Sequence, residues 1–215
     1  MIRMSRLKVA GLSRPLDLVL PAGMAALLVT SRERECDAVV RLLLGFLPPE
    51  EGELVVNGNY PYGLRENLLI DYRRRIGVVY HDGGLVSNLN VWDNLTLQLA
   101  YHGSLRRADL ETAGLAILGR VGYDGSLSVL PSRLSRYQRR LICMARAMLA
   151  EPELMIYQST LDGLTPDEGA VLCDLARGYH QQGLDRTALF LTSHPETLKG
   201  FELDFTFTTR GTTLP

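Results

Sequence analysis

The chain has little cysteine, no long apolar run and almost no net charge, and each shortage excludes a class of protein. Its three cysteines, Cys36, Cys143 and Cys173, lack the close spacing of a metal knuckle or a redox pair, which points to a reducing compartment. The longest uncharged apolar stretch, Leu18 to Ser31, is too short to cross a bilayer and is interrupted by Pro21 and Gly23. The basic start, MIRMSRLKVAGLSR, is followed by Asp17 and lacks a small-residue cleavage pattern, so it reads as a first strand rather than a secretion signal. Lys and Arg number 23 against 24 Asp and Glu, and a net charge of −1 leaves no electrostatic footprint for nucleic acid. Internal repeats, low-complexity tracts and flexible linkers are missing as well.

What remains is the material of a folded domain. With 215 residues, 46% of them hydrophobic and 22% charged, the chain has room for one large domain or two small ones. Strand-like apolar runs occur at Leu16 to Leu20, Met24 to Val29, Ile76 to Tyr80, Leu154 to Tyr157, Ala188 to Thr192 and Leu203 to Phe207. Several alternate with helical segments, the pattern of an α/β domain with central parallel strands buried on both faces.

Two helix starts are legible. Ser135 can cap a helix while Gln138, three residues on, reaches back, and Leu134, Leu141, Met144, Ala145 and Met148 supply a core stripe. Thr165, Pro166, Asp167 and Glu168 announce a second, with Val171, Leu172, Leu175 and Tyr179 as its buried face and Gly183 as its stop. Between Asn88 and Val121 the pattern is helical, and a helical lobe is expected over about residues 88–150 within a single unit of residues 1–215.

Four segments in order resemble the nucleotide-binding subunit of ATP-binding-cassette (ABC) transporters. RLLLGFLPPEEGELVVNG (Arg41 to Gly58) is similar to the stretch after the family's phosphate loop, and RRRIGVVYHDGGLVSNLNVWDNL (Arg73 to Leu95) to its Q-loop region. LSRYQRRLICMARAMLAEPELMIY (Leu134 to Tyr157) is similar to the signature helix and Walker B strand, and FLTSHPE (Phe190 to Glu196) to the switch-histidine region. The wording of GGLVSNLNVWDNL and LAYHG looks most like the Mla or mammalian-cell-entry type, which moves lipids between bacterial membranes. The resemblance implies a P-loop NTPase fold of the ABC type: a parallel-core sheet flanked by helices, an antiparallel β portion and a small helical lobe.

The departures from that pattern fall on the residues that carry chemistry. A phosphate loop uses glycines to wrap phosphates with backbone N–H groups, a lysine to neutralise charge, and Ser or Thr to hold Mg²⁺. Counted back from Arg41, its glycine positions fall on Thr30, Glu33 and Glu35, its lysine on Cys36 and its magnesium ligand on Asp37, with the loop's length preserved. The segment Thr30 to Asp37 carries three acids against Arg32 and Arg34. A like-charge pair at 4 Å in an effective dielectric of 20 costs about 4 kcal/mol, against about 8 kcal/mol for micromolar binding. The two arginines either recover some affinity for an anion or are solvated loop charges.

The Walker B carboxylates are replaced by Gln158 and Ser159; nearby Asp162 would substitute only under a shifted alignment, and LDGLTP more closely resembles the loop downstream, with Thr165 at its usual aspartate. The Q-loop position is His81, and the signature Leu134, Ser135, Arg136, Tyr137, Gln138 has bulky residues for both glycines. Arg136 is either a hand offered to a phosphate on another subunit or a bystander beside a helix cap. No aromatic residue precedes Phe46 to stack an adenine, whereas His194 retains the switch histidine.

The resemblance therefore implies a non-hydrolysing cassette subunit, with no catalytic residues and no cofactor of its own. ATP and Mg²⁺ would bind only at a site shared with an intact partner. It implies as partners a membrane permease, docked near Trp92, Asp93 and Asn94, and a second ABC ATPase subunit in a homo- or heterodimer, at the cytoplasmic side of the inner membrane. The alternatives are a slow ATPase using His81, Asp162 and His194, and a regulatory binding module detached from transport.

Overall fold

The computed structural model describes residues 1–102, 106–198 and 202–209, the side chain of residue 102 excepted; the end of the LAYHG segment lies outside them. Its strands are β1 (Ile2–Lys8), β2 (Leu16–Leu20), β3 (Ala25–Val29), β4 (Glu51–Val56), β5 (Ile76–Val79), β6 (Leu154–Gln158), β7 (Thr187–Thr192) and β8 (Phe205–Thr208). The helices are α1 (Glu33–Leu43), α2 (Glu66–Arg74), α3 (Val91–His102), α4 (Arg107–Val121), α5 (Arg136–Leu149) and α6 (Pro166–His180). The basic start forms a strand, as its composition suggests, and every strand-like run of the sequence becomes a strand with ends shifted by a residue or two.

Strands β2-β1-β4 make an antiparallel sheet, and β5-β6-β7-β3-β8 make a five-stranded sheet in which every pairing is parallel. Alternation along the parallel strands divides the interior in two, because successive side chains leave opposite faces. Ala25, Leu27, Met155, Tyr157, Ala188 and Phe190 join α5 and α6 in one core. Their neighbours Ala26, Leu28, Leu154, Ile156, Leu189 and Leu191 join α1 and the antiparallel sheet in the other.

Helix α5 is buried along the stripe its sequence announces, from Leu134 at 6% exposure to Met144 and Ala145 at 0%. Helix α6 buries its expected face with one exception. Leu172 and Tyr179 are buried, but Val171 is 42% exposed, and the helix ends at His180, before Gly183. Proline at the first turn and a capping box from Thr165 and Glu168 set its start as read. In the helical segment, α3 and α4 pack through Trp92, whose ring lies so close to Gly114 that a Cβ there would meet it at 2.8 Å. No described helix is long and apolar enough to cross a membrane.

Candidate functional site

Parallel strands end at one edge of the sheet, and the loops that leave their carboxyl ends form the crevice where open α/β sheets carry ligands. Here β3 delivers Thr30, β5 delivers His81, β6 delivers Gln158 and Ser159, and β7 delivers His194. A cleft of about 450 Å³ opens there, lined by Glu33, His81, Asp82, Arg136, Arg139, Arg140, Ser159, Asp162, Gly163 and His194.

The connection from β3 to α1 is shorter than the sequence comparison with a phosphate loop suggests. Helix α1 begins at Glu33, so only residues 30–32 form the loop, and Glu33, Glu35, Cys36 and Asp37 belong to the helix. Without glycines at these positions the backbone follows its ordinary preference for right-handed helix. Thr30 is fully buried and its hydroxyl lies 3.1 Å from Cys36 Sγ. Burial pushes the Cys36 thiol up to about 11, with nearby Glu33 adding to the shift against hydrogen bonds from Thr30 and Ser159, so a neutral thiol stands at the lysine position.

Across the cleft, the end of β6 meets the start of α1 directly. Gln158 Nε2 donates to Asp37 Oδ1, and the Ser159 hydroxyl donates to Glu33 Oε2 at 2.7 Å. Gln158 and Ser159 are each 1% exposed, and Ser159 holds a left-handed φ of 45°, a conformation uncommon for a non-glycine residue. Glu35, 2% exposed, accepts from Ser13, Ser31 and Thr209 instead of facing the cleft. Burial raises its pKa, but these hydrogen bonds to the charged form outweigh burial and hold the carboxyl below its ordinary value.

The opposite wall is the start of α5. The Ser135 hydroxyl accepts from the Gln138 N–H at 3.1 Å while the Gln138 side chain accepts from the Ser135 N–H at 3.0 Å, closing the capping box read from the sequence. Leu134 is buried, Tyr137 is half-buried, and the exposed Arg136 turns back within its own chain to donate to the Gly163 carbonyl at 3.2 Å. His81 is exposed. Asp162 and His194 meet, Oδ2 to Nδ1 at 3.2 Å, at the cleft's mouth.

The sequence reading missed Arg140. Its side chain is 2% exposed and donates to three main-chain carbonyls, those of His81 at 2.8 Å, Thr160 at 2.6 Å and Asp162 at 2.7 Å. It thereby ties α5 to the loops after β5 and β6. The available signal was a second arginine beside the apolar stripe, one turn before Met144, where a solvated charge has no room. The residues assigned to permease docking are mostly interior. Asn94 is fully buried and grips the 86–90 loop through Val86, Leu89 and Asn90, Trp92 packs between α3 and α4, and only Asp93 is exposed. Asn94 thereby braces the 86–90 loop against α3, because an amide with three acceptors in reach is worth most where water is excluded. Among the described residues no group of acids, histidines and cysteines is arranged to hold a metal ion.

A family model described as ABC transporter matches residues 38–161, beginning just after the residues aligned with the phosphate loop. The probable ribonucleotide transport ATP-binding protein mkl of Mycobacterium tuberculosis is 26% identical over 175 residues, 81% of this chain and 48% of that protein. The intermembrane phospholipid transport system ATP-binding protein MlaF of Escherichia coli is 27% identical over 160 residues, 74% of this chain and 60% of that protein. The chain thus spans roughly half the length of the first of these relatives and three fifths of the second. The dimeric structure of MJ0796, a bacterial ABC transporter cassette, superimposes with a TM-score of 0.83 at 17% identity, covering 97% of this chain and 95% of that one. That likeness establishes the cassette fold, confirming the α/β architecture with its parallel and antiparallel sheets.

Proposed function

Because the chain belongs to the ABC transporter family, we propose that it is a non-hydrolysing cassette subunit that supports a membrane permease and a second, ATP-hydrolysing cassette at the cytoplasmic face of the membrane. The observation that carries this reading is the pairing of Gln158 with Asp37 and of Ser159 with Glu33 across the cleft. Phosphoryl transfer from Mg-ATP needs a carboxylate toward the metal, a base or positioning group for water, and cationic cover for the phosphates. An amide, a serine hydroxyl and a neutral thiol occupy those places; the amide and the hydroxyl donate to Asp37 and Glu33 of the same chain, and the thiol lies against the Thr30 hydroxyl. Residues present at the site do not suit Mg-ATP, and no hydrolytic step is assigned to them.

The cargo we favour is phospholipid. Support comes from the resemblance around Gly83 to Leu95 and from the similarity to MlaF. The Asp162–His194 contact favours a second reading, slow hydrolysis through an unconventional pair.

One experiment separates these readings: purification from solubilised membranes with identification of the accompanying subunits, followed by Mg²⁺-dependent ATP turnover and nucleotide-dependent melting of the isolated chain. Co-purification with a permease, with neither turnover nor nucleotide stabilisation of the chain alone, is the expected result. Turnover that His194→Ala abolishes would overturn it in favour of the slow ATPase. Recovery only as a free chain would favour a regulatory module.

A further inference from the structure

At the amino ends of β6 and β7, the edge of the sheet opposite the cleft, a groove of about 560 Å³ runs between the helical lobe and the ends of α5 and α6. Leu99 of α3 and Ala113, Ala116 and Ile117 of α4 line it from the lobe, Met148 and Leu149 from the end of α5. Met148 is buried, but Leu99, Ala113, Ile117 and Leu149 are only partly covered and Ala116 is exposed, so the groove leaves apolar surface facing water. One end of it is cationic. Arg186 stacks on the Tyr179 ring, its guanidinium carbon 4.0 Å from the centroid, and Arg120 lies 5.9 Å from the same centroid. Arg120 donates to Gln182 Oε1 at 2.8 Å and Arg186 to the Tyr179 carbonyl at 3.1 Å, and among the described residues neither arginine is paired with a carboxylate. Glu151 is the only acid on the lining, which leaves the groove one net positive charge. Near Tyr179 and Arg120 sits Tyr157, 2% exposed, whose hydroxyl has no hydrogen-bond partner among the described residues.

An apolar trough with two arginines at one end matches a ligand that has a tail and an anionic head. We propose that this groove binds an unbranched alkyl carboxylate, its chain along the trough between α4 and α5 and its head between Arg120 and Arg186. The volume suits a small amphiphile, whereas a stable protein partner would cover about 800 Å² of surface on each side. Burial of the tail supplies the affinity, and the guanidiniums fix the orientation. The carboxylate, or a water that it orders, also offers the Tyr157 hydroxyl an acceptor that the chain itself does not provide, and an unmatched buried hydroxyl is costly. The groove shares no lining residue with the cleft, so this inference stands or falls apart from the cassette function proposed above.

The test is calorimetric titration of the full chain with hexanoate, octanoate and decanoate, each below its micellar concentration, and with octanol as the neutral match for octanoate. One saturable site is expected, with affinity rising about two- to four-fold per added methylene and octanol roughly ten-fold weaker than octanoate. Arg120→Gln should weaken decanoate several-fold and leave octanol unchanged, and Ala116→Phe, a substitution at an exposed position, should abolish both by filling the trough. No binding, equal binding of octanoate and octanol, affinity that ignores chain length, or decanoate binding that survives Ala116→Phe overturns the proposal. Should a variant fail to fold, photo-crosslinking of a diazirine-bearing decanoate to the unaltered chain decides: labelling of α4 and the end of α5 supports the site, and labelling elsewhere overturns it.

Discussion

Two helices begin at the edge of the same cleft and solve the same problem in opposite ways. Helix α5 caps itself, with Ser135 and Gln138 exchanging hydrogen bonds across three residues. Helix α1 has Arg32 at its cap with no side-chain hydrogen bond there, and the acids of its first two turns reach distant segments: Glu33 to Ser159, Glu35 to Ser13 and Thr209, Asp37 to Gln158. The first start is local and survives whatever surrounds it. The second has one local bond, from the Ser31 N–H to Glu35, and otherwise leans on donors that distant segments supply.

The sharpest blow to this contrast falls on the residue that joins α5 to the β5 and β6 loops. Arg140→Leu leaves three main-chain carbonyls without their charged donor, and urea unfolding is expected to report a loss of about 3 kcal/mol or more. A loss under about 1 kcal/mol would mean that those carbonyls find water and that α5 is as self-sufficient along its length as at its cap.

Next in size is the exchange of polarity between α1 and β6. Gln158→Asp sets a carboxylate against Asp37 and should cost about 2 kcal/mol, less than the roughly 4 kcal/mol of a fixed pair at 4 Å because the groups can part and hydrate. Asp37→Ser in the same chain should restore most of that loss, a coupling of about 1–2 kcal/mol in a double-mutant cycle. Additive effects would break the claim that α1 depends on its distant partners.

Glu35 contributes through pH. Its folded pKa lies below the ordinary value of 4.5, so its stabilisation is fully present above the unfolded value and is lost as pH falls through the folded one. Glu35→Gln should therefore flatten the acid limb of the stability curve below about pH 4.5 relative to the unaltered chain. Identical limbs in urea titrations would remove the carboxylate from the account.

The smallest effect is expected where the start is most local. Ser135→Ala removes one half of the capping box and should cost about 1 kcal/mol, with the cleft unaffected. A change in the thermal response of Glu33 or Asp37 variants on that background would show that the two walls communicate.

How much was readable follows the same division. The capping box at Ser135, the cap at Thr165 and the core stripe of α5 were legible because they depend on residues a few positions apart. The parallel sheet was legible from uninterrupted apolar strands. The early start of α1, the interior role of Asn94 and the grip of Arg140 were not, since each is decided by groups from distant segments. The exposed Val171 erred for a smaller reason, as it sits at the margin of an otherwise correctly identified apolar face.

The three thiols add a measurement to the two-core architecture. Cys36 lies in the core shared by α1 and the antiparallel sheet, whereas Cys143 and Cys173 lie in the core on the opposite face of the parallel sheet. With its pKa pushed up to about 11, Cys36 is almost wholly protonated at neutral pH and a poor nucleophile even when momentarily uncovered. Alkylation of each cysteine consequently becomes a stopwatch for local opening, and mass spectrometry can time the fraying of one core against the other within a single molecule.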